Sequence, residues 1–512
     1  MSTEPPVGPE PGELSTEGPV LAGLKRATVS ATAWTAGSTV SQQLIQLAFS
    51  AVLGRLLLPR EYGLVAMIVV FTGFASLFVD SGFGAALVQR KEITAAHLST
   101  AFWANLGAGV AVSAVVAGIS PLVARFYGQP QLKVLMAVAG IDFVVVALKI
   151  TQLALLERRM LYRRLAVIDN VSLALAGAAA ISCAVAGLGV WSLIVFTFVS
   201  DGVDSFLLWV LSDWRPSFSF DRGALRDLWS YGGNMLASTT LNYWFRNLDN
   251  LLIGRFVGAA ALGLYSRAYN LALLQLRNVS FAAGRPLFPA LSRLQDEPAR
   301  FRHAYLRAIS IIALVTFPIA TGFLVAARPL VVTLFGARWA GVAPLVQILG
   351  VAAVVQSIGT SSGLIYQARG RTDSLLRWQM AWSGTAAIAF GIGIHWGAKG
   401  VAVAVSAQSV ALMYPIIAVP GRMIGMRFRD VVGAVGGVVV AAVLCGAAAW
   451  AAGRGLRSHA PELQLLAQVA AGGVVYIGFV HVARIAPYRE LREIVAMRRA
   501  AGRQTAALAS KA

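Results

Sequence analysis

Runs of roughly 20 apolar residues recur along the whole chain. About fourteen can be drawn, centred near residues 45, 71, 108, 143, 177, 200, 243, 271, 315, 355, 386, 410, 440 and 473. As a helix, such a run covers about 30 Å, the thickness of a bilayer's hydrocarbon core. In hydrocarbon each backbone polar group must be satisfied within the protein, which confines spanning chains to helices and closed barrels. The chain is 57% hydrophobic and 13% charged, where soluble domains run about 25% charged. An all-α polytopic membrane protein is expected. The runs near 243 and 271 stand apart because they carry charges.

The runs are organised as a duplication. Residues 54–64 read GRLLLPREYGL and residues 254–264 read GRFVGAAALGL, so Gly54, Arg55, Gly63 and Leu64 recur as Gly254, Arg255, Gly263 and Leu264. PLVARFYG (121–128) is echoed by PLVVTLFG (329–336), and GLGVWSLIV (187–195) by GAKGVAVAV (397–405). Three pairs in the same order, at similar offsets, predict two six-helix lobes, residues 25–218 and 219–424. An even number of helices per repeat starts both copies on the same side, which implies a pseudo-two-fold axis along the membrane normal. Two further helices, 425–486, have no counterpart in the first lobe. Residues 1–24, rich in Pro, Gly and Glu, are expected to be a disordered cytoplasmic tail, and 487–512 a basic cytoplasmic tail.

The net charge of +20 does not indicate nucleic acid. With both termini in the cytoplasm, about 29 of the 43 Lys and Arg fall on the cytoplasmic side, in stretches such as ERRMLYRR (157–164) and GRMIGMRFRD (421–430). That is the positive-inside bias, and it predicts an inner-membrane protein with both ends inside. Cys183 and Cys445 fall in separate apolar runs and suggest neither a disulfide nor a metal site. No P-loop, HExxH or CxxC occurs, and no cofactor is expected. GTSSG (359–363) matches G-x-S-x-G but lies inside an apolar run, without the strand–turn–helix setting of a nucleophile elbow. Close helix packing explains it better. Trp34, Trp103, Trp191, Trp209, Trp244 and Trp339 lie mostly toward the ends of runs, as in an aromatic belt. Trp244 and Tyr243 sit deeper and are the candidates for stacking on a sugar.

Charges at bilayer depth are costly, about 2.5–3.5 kcal/mol each at a helix centre, and so mark a cavity or an internal pair. Asp142 and Lys149 share a face in the run near 143, two turns apart, too far for a simple pair. Asp201 and Asp204, three apart, need a proton, a cation or basic partners; they are the coupling-ion candidates. Arg246 and Asp249 form either a self-neutralising pair or part of a cargo site. Gln42 and Gln46 lie four apart on the first run. Arg55, Arg255 and Lys149 lie near run ends, where snorkelling competes with a cavity role. Arg267 and Arg277 complete the set.

GRLLLPREYGLVAMIVVFTGFASLFVDSGFGAALVQR (54–90) closely resembles the start of bacterial polysaccharide flippases in the multidrug/oligosaccharidyl-lipid/polysaccharide exporter superfamily. NLDNLLIGRFVGAAALGLYSRAYNL (247–271) is similar to the head of their second lobe, and QLALLERRMLYRRLAV (152–167) to the cytoplasmic link after their fourth helix. The likeness runs from about 31 to 420 and is greatest to the exopolysaccharide, colanic-acid-type branch. It implies two six-helix lobes in a V, and passage of undecaprenyl-diphosphate-linked oligosaccharide repeat units to the periplasmic leaflet by alternating access. It implies a setting in exopolysaccharide or lipopolysaccharide biosynthesis, beside a polysaccharide polymerase and glycosyltransferases. No invariant motif transfers. Cavity cations have approximate counterparts in Arg55, Arg246, Arg255 and Arg277, and Asp249, Lys149 and Asp142 join them as substrate-cavity candidates. Two other readings stand beside this one. A cation-coupled drug antiporter of the same superfamily is disfavoured by the intramembrane arginines. A non-transporting scaffold of the polysaccharide machinery has no need of buried charge.

Overall fold

In the computed structural model, residues 19–79, 83–90, 92–274, 287–489 and 492 are described, and no strand occurs among them. The chain runs through α1 (Pro19–Leu56), α2 (Pro59–Val79), the short α3 (Phe83–Gln89), α4 (Ala95–Tyr127), α5 (Leu132–Arg158), α6 (Tyr162–Val185) and α7 (Trp191–Leu211). It continues through α8 (Arg222–Phe256), α9 (Ala259–Tyr269), α10 (Pro298–Phe335), α11 (Val342–Gly359), α12 (Gly363–Ala368), α13 (Thr372–Gly393), α14 (Gly397–Ala411), α15 (Met413–Arg422), α16 (Phe428–Gly455) and α17 (Pro461–Val482). Among the described residues, ten segments are long and apolar enough to cross a bilayer. One of them, Thr372–Arg422, is 51 residues long and contains α13, α14 and α15. The chain is thus an all-helical, multi-pass membrane protein.

The repeats reappear as backbone geometry. Gly128 and Gly336 end the two copies of the PLV segment, and both take positive φ, +64° and +90°. Each lets the chain leave a long helix, α4 or α10, in the left-handed region that a side chain disfavours.

The chain divides into two compact units, 1–50 with 71–124 and 130–241, and 51–70 with 125–129 and 242–512. In the first, small residues bring helices close. A Cβ on Gly177 (α6) would stand 2.3 Å from the Phe49 ring (α1), and one on Gly109 (α4) 2.7 Å from the Phe143 carbonyl (α5). This is the close backbone approach that glycine permits in membranes. Arg158, at the basic end of α5, donates to the carbonyls of Leu87, Val88 and Arg90, the last carbonyls around α3, as a cation should at a helix C-terminus.

In the second unit, α16 and α17 pack on one another and on α10. Gly446 faces Thr321, Gly472 faces Cys445, and Tyr476 donates to the Leu314 carbonyl at 2.7 Å. The appended pair is therefore seated by small residues plus one hydrogen bond, and Cys445 serves as packing, as its burial in a run suggests. GTSSG also falls where helix packing predicts. Its serines form a 3₁₀ turn inside the span 342–368 and donate to carbonyls three residues back.

Candidate functional site

In the first unit, α5, α6 and α7 bring four carboxylates around one cation. Lys149 Nζ lies 2.7 Å from Asp201 Oδ1 and 2.9 Å from Asp204 Oδ2, with side-chain exposures of 13%, 24% and 20%. Asp142 stands beside Asp201, and Asp169 of α6 faces Asp204 and Lys149. Asp169 also accepts from Gln42 Nε2 of α1 at 3.0 Å, and Gln42 and Asn170 both donate to Ser38 Oγ, at 3.0 and 3.1 Å. A polar thread therefore crosses the unit from α5 and α7 through α6 to α1.

Two expectations change here. Lys149 is not at a helix end and does not snorkel; it lies inside α5 as the bridge between two aspartates. The basic partner that Asp201 and Asp204 require is that lysine, 52 and 55 residues away in sequence. Four formal negative charges against one positive leave the group acidic. Attraction across a low-dielectric site is strong, and so is the penalty for a charge left over.

Sequence reasoning missed Asp169 and Gln152. Asp169 sits five residues past Arg164, at the edge of a basic stretch; its only signal was Gln42, which needed an acceptor. Gln152 is 0% exposed and one turn beyond Lys149. Leu156, one turn further on the same face, packs against Leu165, Ile168 and Leu208 of α6 and α7, so Gln152 faces the same two helices. Its amide, the Ser172 hydroxyl and Asp204 Oδ1 are buried without a hydrogen-bond partner among the described residues. An unmade bond of this kind costs about 1–3 kcal/mol.

In the second unit, Asp249 of α8 is 4% exposed. Its carboxylate accepts from Tyr265 Oη at 2.8 Å and from the Asn250 backbone N–H at 2.8 Å. Arg246, one turn earlier, is exposed. Asp249 is thus held by Tyr265 and the backbone, with Arg246 close enough to act on its charge as well. Tyr243 donates to the carbonyls of Val69 and Val70 at 3.0 and 2.9 Å, which fastens α8 to α2 and ties up the hydroxyl of this stacking candidate.

Arg55 and Arg255 hold helix ends. Arg55 donates to the Thr333 carbonyl at 2.5 Å and the Leu334 carbonyl at 3.4 Å, and Arg255 lies 5.5 Å above the Phe126 ring. Arg267 stacks 3.8 Å from the Tyr62 ring. Arg277 lies outside the described residues. Trp339 departs from the belt reading altogether. It is 0% exposed and donates to the Gly54 carbonyl at 2.7 Å. Trp103 and Trp209 likewise donate inward, to the Ser217 and Leu148 carbonyls, because an indole N–H at depth needs an acceptor.

A model of the polysaccharide biosynthesis protein family matches residues 52–344, from the end of α1 to the start of α11. The chain belongs to that family. It is 28% identical over 405 residues to the teichuronic acid biosynthesis protein TuaB of Bacillus subtilis, covering 78% of this chain and 82% of TuaB. It is 28% identical over 356 residues to the lipopolysaccharide biosynthesis protein WzxC of Escherichia coli, covering 68% and 72%. Among solved structures, the lipid II flippase MurJ superposes with a TM-score of 0.70 at 12% identity, over 89% of this chain and 99% of MurJ. At that identity the match establishes the fold. The site therefore belongs to a polysaccharide biosynthesis protein with a membrane-transporter fold, and its charges lie within that fold's helices.

Proposed function

We propose that this polysaccharide biosynthesis protein moves undecaprenyl-diphosphate-linked oligosaccharide repeat units across the cytoplasmic membrane. The supporting observation is the family match over 52–344 on the fold of a lipid II flippase. The names of TuaB and WzxC place those relatives in teichuronic acid and lipopolysaccharide biosynthesis. No bond is made or broken in the step. The work lies in carrying an anionic headgroup through hydrocarbon, where a bare charge costs far more than any single contact returns. An interior-negative potential favours outward passage by about 2.3 kcal/mol per charge per 100 mV.

In this reading the two lobes, 25–218 and 219–424, rock to give alternating access, with 425–486 as an attached helix pair. Arg246 meets the diphosphate, since a guanidinium has five donors and grips a phosphate in bidentate fashion. Asp201 and Asp204 exchange a coupling ion, a proton or a monovalent cation, with Lys149 as their resting partner. A polymerase and glycosyltransferases of the same pathway are the expected neighbours.

In a strain lacking this chain, lipid-linked oligosaccharide accumulates on the cytoplasmic face, and the intact chain clears it. Arg246→Ala leaves it accumulated, and Arg246→Lys clears it at least tenfold more slowly, because an ammonium is a point charge. Normal folding of Arg246→Ala is expected, because Asp249 keeps Tyr265 and Asn250. If Arg246→Ala with Asp249→Ala exports at the normal rate, Arg246 served only to balance Asp249 and the cargo contact is wrong.

The reading also places both termini in the cytoplasm, with fourteen spans. Reporter fusions then read cytoplasmic at Ser374, at the start of α13, and periplasmic at Ser458, between α16 and α17. Finding both on one side would overturn the order of the last four spans.

A further inference from the structure

In the first unit, α4 and α5 run antiparallel and touch through glycine. A Cβ on Gly109 would stand 2.7 Å from the Phe143 carbonyl, and one on Gly140 3.0 Å from the Val116 side chain. Beside that seam a groove of about 630 Å³ stays open. It runs from Pro121 and Lys133 at one end to Val110 and Val144 at the other. Its lining includes Ala114, Ala117 and Ala137, side chains too short to fill the space between two helices. Val110, Val134 and Ile141 also line it and are each about half exposed. The groove therefore opens sideways, along the apolar length of two candidate membrane spans.

Its length and its polarity both point to an occupant. Pro121 lies eleven positions from Val110, and Val144 eleven from Lys133. That is roughly 16 Å of helix, the depth of one leaflet in a hydrocarbon core about 30 Å thick. Lys133 is the one charged residue in the lining. It is exposed, and no carboxylate among the described residues pairs with it. It does not serve its own helix. The first turn of α5 has no acidic residue, and the dipole there disfavours a cation. Ser120, beside it, donates its hydroxyl to the Ala117 carbonyl at 2.8 Å. The groove is thus apolar along its length and cationic at its mouth.

We propose that this groove holds one anionic phospholipid, with an acyl chain along the alanines and the phosphate on Lys133. A lysine stem laid along apolar surface carries its ammonium to the level of the headgroups. A phosphodiester brings one negative charge, which matches one cation. A straight acyl chain matches the depth of one leaflet, whereas an undecaprenyl chain is far longer and would overrun the groove. The deep end, Ile141 and Val144, flanks Asp142 in sequence. The bound chain therefore braces the stretch of α5 that leads to Lys149.

The test is native mass spectrometry of the full-length protein in detergent, with phosphatidylglycerol or phosphatidylcholine of identical chains added in equal amounts. The first bound lipid should be phosphatidylglycerol by about fivefold, the preference one lysine gives near a membrane surface. Lys133→Gln should lose that preference and Lys133→Arg keep it. Lys399→Gln, which removes another exposed cation at the head of α14, should leave it unchanged. Ala117→Phe fills the groove and should cut retention of both lipids. Each variant is first shown to be monodisperse on gel filtration. An unchanged preference in folded Lys133→Gln overturns the site. So does displacement of phosphatidylglycerol by an equal amount of undecaprenyl phosphate, which would make the groove a cargo seat. A dimer mass that Ala117→Phe abolishes would give the groove to a second copy and also overturn it. The unsubstituted protein supplies an independent readout. Phosphatidylglycerol with a diazirine at its chain end should label peptides around Val110 and Val144, and labelling confined to other helices overturns the site. No arm measures export, so this site stands or falls apart from the proposed function.

Discussion

Lys149→Met is expected to destabilise the protein by about 3–5 kcal/mol, because removing one partner of a buried ionic group strands the other. The stranded charges would be Asp201 and Asp204, held at 2.7 and 2.9 Å by the lysine, with Asp142 and Asp169 adding to the local negative field. The measurement is the recovery of monodisperse, fluorescently tagged protein from detergent extracts, which should fall sharply. The triple variant Lys149→Met, Asp201→Asn, Asp204→Asn removes the charges as a unit. It should recover to within about 1 kcal/mol of the parent, since replacing a whole buried ionic group by neutral residues of similar volume is often close to neutral. The two outcomes separate structure from coupling. If the triple variant folds but exports nothing, the group carries the coupling ion. If it folds and exports at the parental rate, the charges serve only each other and the coupling role is withdrawn. Asp201→Asn with Asp204→Asn, in the presence of Lys149, is the less informative version, because the lysine is then left as the unpaired charge.

Trp339→Ala is the second large effect. Trp339 is the largest fully buried side chain among the described residues. Its indole stands edge-on to Tyr62 at 5.2 Å and donates to the Gly54 carbonyl at 2.7 Å. Truncating a buried aromatic costs about 3–5 kcal/mol, through lost transfer energy and the cavity left behind. Trp339→Phe keeps most of the volume and loses the hydrogen bond, so a smaller loss of about 1–2 kcal/mol is expected. The thermal midpoint of the detergent-solubilised protein distinguishes the two. A Trp339→Ala midpoint indistinguishable from the parent would mean that the packing around Gly54 closes on the space, and that the indole is not what holds this region.

Much of the architecture was legible in the chain itself, because hydropathy and repetition are local properties. A 20-residue apolar run reports a membrane helix whatever surrounds it. The PLV pair was read as one echo of a duplication, and each copy ends on a positive-φ glycine, Gly128 or Gly336. The candidate site was only half legible. Asp201 and Asp204 could be recognised as a problem from their spacing, since two carboxylates on one helical face demand a partner. Which partner could not be read, because Lys149 was equally compatible with a helix end. Gln42 was noticed and Asp169 was not, although each is the other's partner. The tryptophan belt failed at Trp339 for a related reason. Distance from a run's end predicts depth, but says nothing of whether another helix covers the ring.

By itself, then, the sequence determined that the chain folds as membrane helices, that its halves repeat, and that its charges at bilayer depth had to be answered. Tertiary structure decided who answers whom. Lys149 finds its aspartates across 52 and 55 residues, and Trp339 finds Gly54 across 285. Gly63 packs against the Ala259 carbonyl and Gly263 against the Pro59 carbonyl, about 200 residues apart in sequence. These pairings depend on how helices cross and at what height they meet. That is set by the sum of many small packing contacts between distant segments, and no local pattern of residues encodes it.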